Sequence, residues 1–287
     1  GNEKIIFEIV PVLKISNPKQ ARNVTDLSYF HVNYIKRKLN SERLRREVIL
    51  AKAFCKAQKV YGAENYIRGF SGYGLECLIA YYKTFEKMLK TLSKIKEREI
   101  IDPEKKYKRK SDILIEMNES RLGSPIILVD PTWKERNVLA ALGKETFRKF
   151  QNIALKFLKK PSADFFAEKI IDENELRRIA KKKKAEFVHL EIVTGRQMGN
   201  IAGSKLKKFS DFLVKELSGN FKIIINEFDY SEEKSADLYL IAKNKKEVVR
   251  MGPPLSLKQH ADAFRKINKN FFEKGGILYS KTKVDYS

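Results

Sequence analysis

Apolar residues recur at intervals of three and four over residues 42–59, where Leu44, Val48, Ala51 and Cys55 share one face. That spacing predicts an amphipathic helix. A second stripe, Leu75, Leu78, Ile79, Tyr82, Phe85 and Leu89, predicts one long helix reaching about residue 92. Between them lies YGAENYIRGFSGYGLE, residues 61–76. It opens on an aromatic at the end of the first helix, turns through Gly69, Ser71 and Gly72, and enters the second helix at Tyr73. Upstream, residues 5–15 run apolar with β-branched members, which predicts a strand with Pro11 at an edge or bulge. A loop with Pro18 follows, then a helix through Tyr29, Ile35 and Leu39, capped by Asp26 or Ser28.

Charge replaces periodicity over residues 94–110, predicting a loop or hairpin with a basic tip. Residues 125–129 form a short buried strand that Asp130-Pro131 ends with a turn. Helices ending near residue 158 come next, with Pro161 and Phe165-Phe166 beyond, and the stretch 161–184 ends in a basic helix. From there the pattern turns to strands at 187–193, 221–228 and 237–242, at EVVRM before Gly252-Pro253-Pro254, and at the closing ILYSKTKV. Helices are expected around 204–217 and 257–272. The fold class is α+β, with a small mixed sheet covered by helices in the second half. Three segments follow from this reading: 1–24, 25–165 and 166–287.

At 287 residues the chain has room for two domains with cores of their own. Its 59 lysines and arginines against 36 aspartates and glutamates give a net charge of +23 and a pI near 9.8, spread over the whole length. A polyanionic partner fits, most simply nucleic acid, with an anionic membrane as the competing explanation. No apolar run approaches the roughly 18–20 residues that span a bilayer, and no signal pattern opens the chain, so a soluble, cytoplasmic protein is expected. Cys55 and Cys77 fall on apolar helix faces and read as reduced, buried hydrophobes. His31, His189 and His260 show no ligand spacing, so no structural metal is expected.

The turn before Tyr73 is the first candidate for chemistry. A helix N-terminus behind small residues offers free N–H groups and the positive end of the dipole, which favour a phosphate. On the residues alone, an ordinary cap by Ser71 with Glu76 assisting is the more common reading of such a turn. Lys52 lies one residue off the stripe of its helix, the position of a solvated lysine. Glu8, among Phe7, Ile9 and Val10, is either on a solvent face or placed at a site. The basic tip within residues 94–110 either touches backbone phosphates or is a solvated face.

Taken in order, EIVP, DLSYFH, Lys52, YGAE with RGFSGYGLE, VDPTWKERNV, PSADFF and RMGPPL resemble the archaeal, class I CCA-adding enzymes, tRNA nucleotidyltransferases that build the 3′-CCA end. The resemblance spans nearly the whole chain. It implies a strand from a nucleotidyltransferase head in residues 1–24, a helical central domain in 25–165 and an α/β tRNA-binding domain in 166–287. It implies tRNA, CTP and ATP as partners and Mg²⁺ in a two-ion site held by three carboxylates. Glu8 falls on the third of these, where the family typically has Asp. The Gly-Ser motif and the other two carboxylates have no counterpart, so the resemblance implies a fragment or one half of a split enzyme, inactive alone and completed by a separate catalytic head. By the same resemblance Lys52, Tyr61, Ser71 and Tyr73 meet the triphosphate, Ser28 and His31 lie near the nucleotide, and Arg136 meets the edge of the base. Arg250 either reaches RNA backbone or is a strand-end surface charge. The rival expectations are a non-catalytic RNA-binding protein and a diverged RNA-tailing nucleotidyltransferase.

Overall fold

A computed structural model describes residues 9–23, 25–168, 170–195, 198–231 and 234–283. The chain divides into two compact units, Gly1–Ile170 and Ile171–Ser287.

The first unit is mainly helical. It contains α1 (Ser28–Lys38), α2 (Glu42–Ala57), α3 (Gly72–Tyr82), α4 (Phe85–Leu92), β1 (Glu99–Ile101), α5 (Lys110–Glu116), β2 (Ile126–Leu128) and α6 (Lys144–Lys159). Ser41 starts α2 by accepting a hydrogen bond from the Leu44 N–H. The face of Leu44, Val48, Ala51 and Cys55 is buried, as its spacing predicts. Phe54, fully buried, centres the core, with the rings of Phe85, Phe157 and Phe166 at 5.3, 5.6 and 5.8 Å.

Four expectations for this unit need correction. The single helix to residue 92 is two helices, because Lys83 adopts a left-handed φ of 71° and Thr84 caps a new helix by accepting from Lys87 N–H. Residues 94–110 do not fold back as a hairpin: β1 pairs in parallel with β2, Ile100 opposite Ile127. Neither Asp26 nor Ser28 caps α1, whose N-cap is Leu27 without a side-chain bond. The Asp26 carboxylate instead accepts from the N–H groups of Leu13 (2.9 Å), Arg22 (2.9 Å) and Asn23 (3.2 Å). Those bonds, opposed by burial, hold its carboxyl below the usual range. Finally, residues 9–15 belong to no strand, since a β-ladder needs a neighbour and none of the described strands pairs with them. Ile9 is 91% exposed, and Val10, Val12 and Leu13 are exposed as well.

The second unit contains α7 (Glu173–Lys183), β3 (Glu186–Val193), α8 (Gly199–Asn220), β4 (Phe221–Tyr230), β5 (Ser235–Asn244), β6 (Glu247–Pro254), α9 (Lys258–Ile267), β7 (Phe271–Lys274) and β8 (Ile277–Lys283). In place of one mixed sheet there are two antiparallel sheets of three strands, in the orders β3-β5-β4 and β6-β8-β7. The helix expected at 257–272 stops at Ile267, since Phe271–Lys274 pair as β7 with β8 across a reversal at Gly275-Gly276. Both glycines have positive φ there, as a two-residue hairpin turn between β7 and β8 requires. The whole is α+β, and no helix among the described residues is long and apolar enough to cross a membrane.

Candidate nucleotide site

The site is assembled at the start of α3. The chain leaves α2, passes Val60 and loops back, so that Tyr61 and Phe70 form a parallel bridge. Gly62 N–H donates to Phe70 O (2.9 Å), Gly69 N–H to Gly62 O (2.7 Å) and Phe70 N–H to Val60 O (2.8 Å). Gly69 is required at this clasp: a Cβ there would lie 2.2 Å from the Val60 carbonyl oxygen. Ser71 then caps α3, its Oγ accepting from Gly74 N–H at 3.1 Å. Helix geometry leaves the N–H groups of the first turn directed outward, away from any intrahelical acceptor.

Lys52 and Tyr61 converge on that turn. The Tyr61 hydroxyl lies 2.8 Å from where a Gly72 Cβ would sit, and Lys52 Nζ lies 3.8 Å from the same point. Glu76 does not assist the cap. One turn further along α3, its Oε1 accepts from Lys52 Nζ at 2.6 Å, in a half-buried ion pair. Lys56 Nζ sits 5.2 Å from the Tyr61 ring centre, adding positive charge beside the aromatic.

Tyr73, in the first turn of α3, joins that helix start to a second cluster, centred on Asp130. This carboxylate is fully buried at the end of β2. Its Oδ2 accepts from Arg136 Nη1 (2.6 Å) and faces His31 Nε2 (3.2 Å). Its Oδ1 accepts from Tyr73 OH (3.2 Å), Thr132 N–H (2.8 Å) and Thr132 Oγ1 (2.8 Å). The His31 ring stacks on Tyr73 with centroids 3.9 Å apart. Burial alone would raise the Asp130 carboxyl, but the His31 hydrogen bond, the Arg136 charge and the Thr132 N–H hold it well below the usual carboxylate range. Burial, with the adjacent Cys77 and Asp130, pushes the Tyr73 phenol far up, so it remains an O–H donor at neutral pH.

Asn137 fixes the loop that carries Arg136. Its Oδ1 accepts from the N–H groups of Leu128 and Leu139, both at 3.0 Å, and its Nδ2 donates to Arg121 O (2.8 Å) and Ser124 Oγ (3.0 Å). The asparagine of the Arg-Asn-Val motif is therefore a buried brace, and the arginine before it is the residue the brace presents.

Of the residues singled out in the sequence, Lys52, Tyr61, Ser71 and Tyr73 meet around the first turn of α3, and His31 and Arg136 join them through Tyr73 and Asp130. Ser28 is exposed one turn before His31 on α1, and its hydroxyl makes no hydrogen bond among the described residues. Arg250 is exposed in β6, opposite Ser280, in the second unit. Glu8 lies outside the described residues. Asp130 and Thr132 were not singled out as site residues, and Glu76 was read only as assisting the cap, although Asp130 sits in the motif whose strand end read as plain turn chemistry.

Residues 46–167 match the family model described as tRNA nucleotidyltransferase, second domain. The CCA-adding enzyme of Nanoarchaeum equitans is 31% identical over 280 residues, covering 97% of this chain and 67% of that protein. The chain belongs to the CCA-adding enzyme family. Relatives bearing the same description from Archaeoglobus fulgidus and Methanocaldococcus jannaschii are 29% and 28% identical, over 92% and 98% of this chain. The chain spans 59% and 62% of those two CCA-adding enzymes. The matched tRNA nucleotidyltransferase segment contains Lys52, Tyr61, Ser71, Tyr73, Glu76, Asp130 and Arg136. Among the described residues no three His, Cys, Asp or Glu side chains are grouped to hold a metal ion. The described residues alone do not make up the two-ion site implied by the resemblance, and Glu8, the carboxylate assigned to that site, lies outside them.

Proposed function

We propose that this chain is the nucleotide-clamp and tRNA-binding part of a CCA-adding enzyme, which extends the 3′ end of tRNA with C, C and A from CTP and ATP without a template. One observation carries the reading: Lys52, the Tyr61 hydroxyl and the Ser71 cap meet at the start of α3, and Tyr73, in the first turn of that helix, bonds the carboxylate that anchors the Arg136 fork. A nucleoside triphosphate has the matching parts, with a polyanionic tail for Lys52, Tyr61 and the N–H groups of α3 and a base for Arg136. Binding transfers Lys52 from Glu76 to a phosphate oxygen, an exchange of one charge-assisted hydrogen bond for another. Arg136 donates to acceptors that cytosine and adenine share in kind, O2 and N3 of the first and N1 of the second. Ser28 and His31 complete the nucleotide side. The excess of positive charge attracts the tRNA backbone, with Arg250 among its contacts, so affinity falls steeply with salt.

The reaction needs a catalytic head carrying the remaining carboxylates together with Glu8, whether on a separate polypeptide or elsewhere in the same protein. The test is incorporation of labelled CMP and AMP into tRNA ending at its discriminator base, by this chain alone and with a class I head supplied. Incorporation only with the head is the expected result. tRNA binding without nucleotide binding or incorporation in either mixture, with the head shown to dock, overturns it in favour of a non-catalytic RNA-binding protein.

A further inference from the structure

The carboxylate of Asp130 receives more hydrogen-bond donors than any other described around the site, and its environment defines what it can do. A carboxylate offers about four lone-pair sites. Here five donor positions surround it: Tyr73 OH and two from Thr132 on Oδ1, Arg136 Nη1 and His31 Nε2 on Oδ2. Such a group is saturated. It has no capacity left for a substrate hydroxyl, so it acts through its neighbours. Arg136 is tied through Nη1 alone, to Asp130 Oδ2. Among the described residues Nε and Nη2 make no hydrogen bond, which leaves the other edge of the planar fork free for a ligand.

We propose that Asp130 is the positioning residue for base selection: it pins one nitrogen of Arg136, and thereby the angle at which the free edge of the guanidinium meets the incoming base. This rests on the nucleotide-site reading above. An unpinned arginine has several rotatable bonds and can present its donors to almost any base, whereas one held at Nη1 presents them in a single plane. His31 is fixed by the same carboxylate, which accepts from Nε2–H and so leaves Nδ1 facing away. Tyr73 and Thr132 hold Oδ1, which prevents the carboxylate from turning with Arg136. Asparagine cannot replace this arrangement. Its carbonyl can stay on the Tyr73 and Thr132 donors, but its NH₂ then opposes Arg136 Nη1, donor against donor.

The experiment compares wild type with Asp130→Asn, Thr132→Val and Arg136→Lys in two measurements. The first is ¹⁵N-edited NMR of the arginine side chains, with the Arg136 signal assigned by its loss in Arg136→Lys. Slow, resolved rotation of the Arg136 guanidinium is expected in wild type, collapsing to a fast-rotating average in Asp130→Asn. The second is the Kd for CTP, ATP, UTP and GTP with tRNA ending at its discriminator base present, followed by the fluorescence of Trp133, the sole tryptophan, which lies in the same loop. In Asp130→Asn the preference for CTP over UTP should fall at least fivefold, while mean triphosphate affinity stays within about threefold because Lys52 and Tyr61 are untouched. Thr132→Val, which removes only the Oγ1 bond, should move both readouts the same way by less, and it carries the test if Asp130→Asn does not fold. Restrained Arg136 signals in the variants, or an unchanged base preference, overturn the proposal. Wild-type protein that binds none of the four nucleotides sinks the nucleotide-site reading and the base-selection claim with it. That failure is told apart by the NMR, where Arg136 would still respond to Asp130→Asn.

Discussion

Gly72→Ala separates binding from folding at the site. Gly72 is the first residue of α3, and an added methyl would stand 2.8 Å from the Tyr61 hydroxyl and 3.8 Å from both Nζ and Cε of Lys52. Ordinary contact requires the Tyr61 tip to retreat by roughly half an ångström or more. That tip is the far end of a side chain, so the fold can absorb the change. Alanine also relieves part of the glycine penalty in a helix, which is about 0.5–1 kcal/mol in a helix interior and less at a first turn. Net stability should therefore change by less than about 1 kcal/mol, or roughly 2–4 °C in Tm for a unit of this size. Nucleotide binding should respond differently, because the methyl occupies the space where Lys52, Tyr61 and the helix start meet. Losing one hydrogen bond to a charged phosphate costs about 1.5–3 kcal/mol, which is roughly 10- to 150-fold in Kd. Thermal unfolding and equilibrium dialysis with CTP and ATP read the two effects. A variant with wild-type stability and wild-type affinity would refute the placement of the triphosphate. A fall in Tm beyond about 10 °C would show instead that the glycine is needed for folding.

Phe54→Ala empties the centre of the aromatic cluster and should cost about 3–5 kcal/mol, lowering Tm by roughly 6–20 °C in a thermal melt; a drop below 3 °C would contradict the core assignment. The depressed Asp130 carboxyl contributes stability that is present above the unfolded value of about 3.9 and is lost as pH falls through the folded one. The stability gap between wild type and Asp130→Asn, from urea titrations, should hold steady from pH 7 to about 5 and close below about pH 4; a gap that widens in acid would reverse the sign. Burial pushes the Cys55 and Cys77 thiols up, so iodoacetamide at pH 8 should leave both unmodified in the native protein and alkylate both in denaturant, as mass spectrometry would read.

Local order was legible where apolar spacing or a small-residue turn marked it. The buried face of α2, the Ser71 cap and the strand at 126–128 follow from spacing and turn chemistry. The break at Lys83 was not, because the apolar stripe continues across it and lysine carries no signal for a left-handed backbone. The parallel pairing of β1 with β2 joins residues 27 positions apart, which periodicity within either segment cannot encode. The same limit applied to chemistry. Lys52 and Ser71 could be proposed from the resemblance, but Glu76 beside Lys52 and Asp130 beneath Arg136 emerge only when separate elements are brought together. A charged residue that read as capping or turn chemistry is, in both cases, a partner of the residue thought to act.

The clasp between Tyr61 and Phe70 bears on the thermodynamics of ligand capture. Three backbone hydrogen bonds close the loop of residues 62–69 before any nucleotide arrives. Loop closure is an entropic debt that a ligand would otherwise have to settle out of its own contacts. Because folding has already fixed Tyr61 relative to the start of α3, the few polar contacts proposed for the triphosphate would act almost wholly as affinity, none of it consumed in ordering the loop that carries the tyrosine.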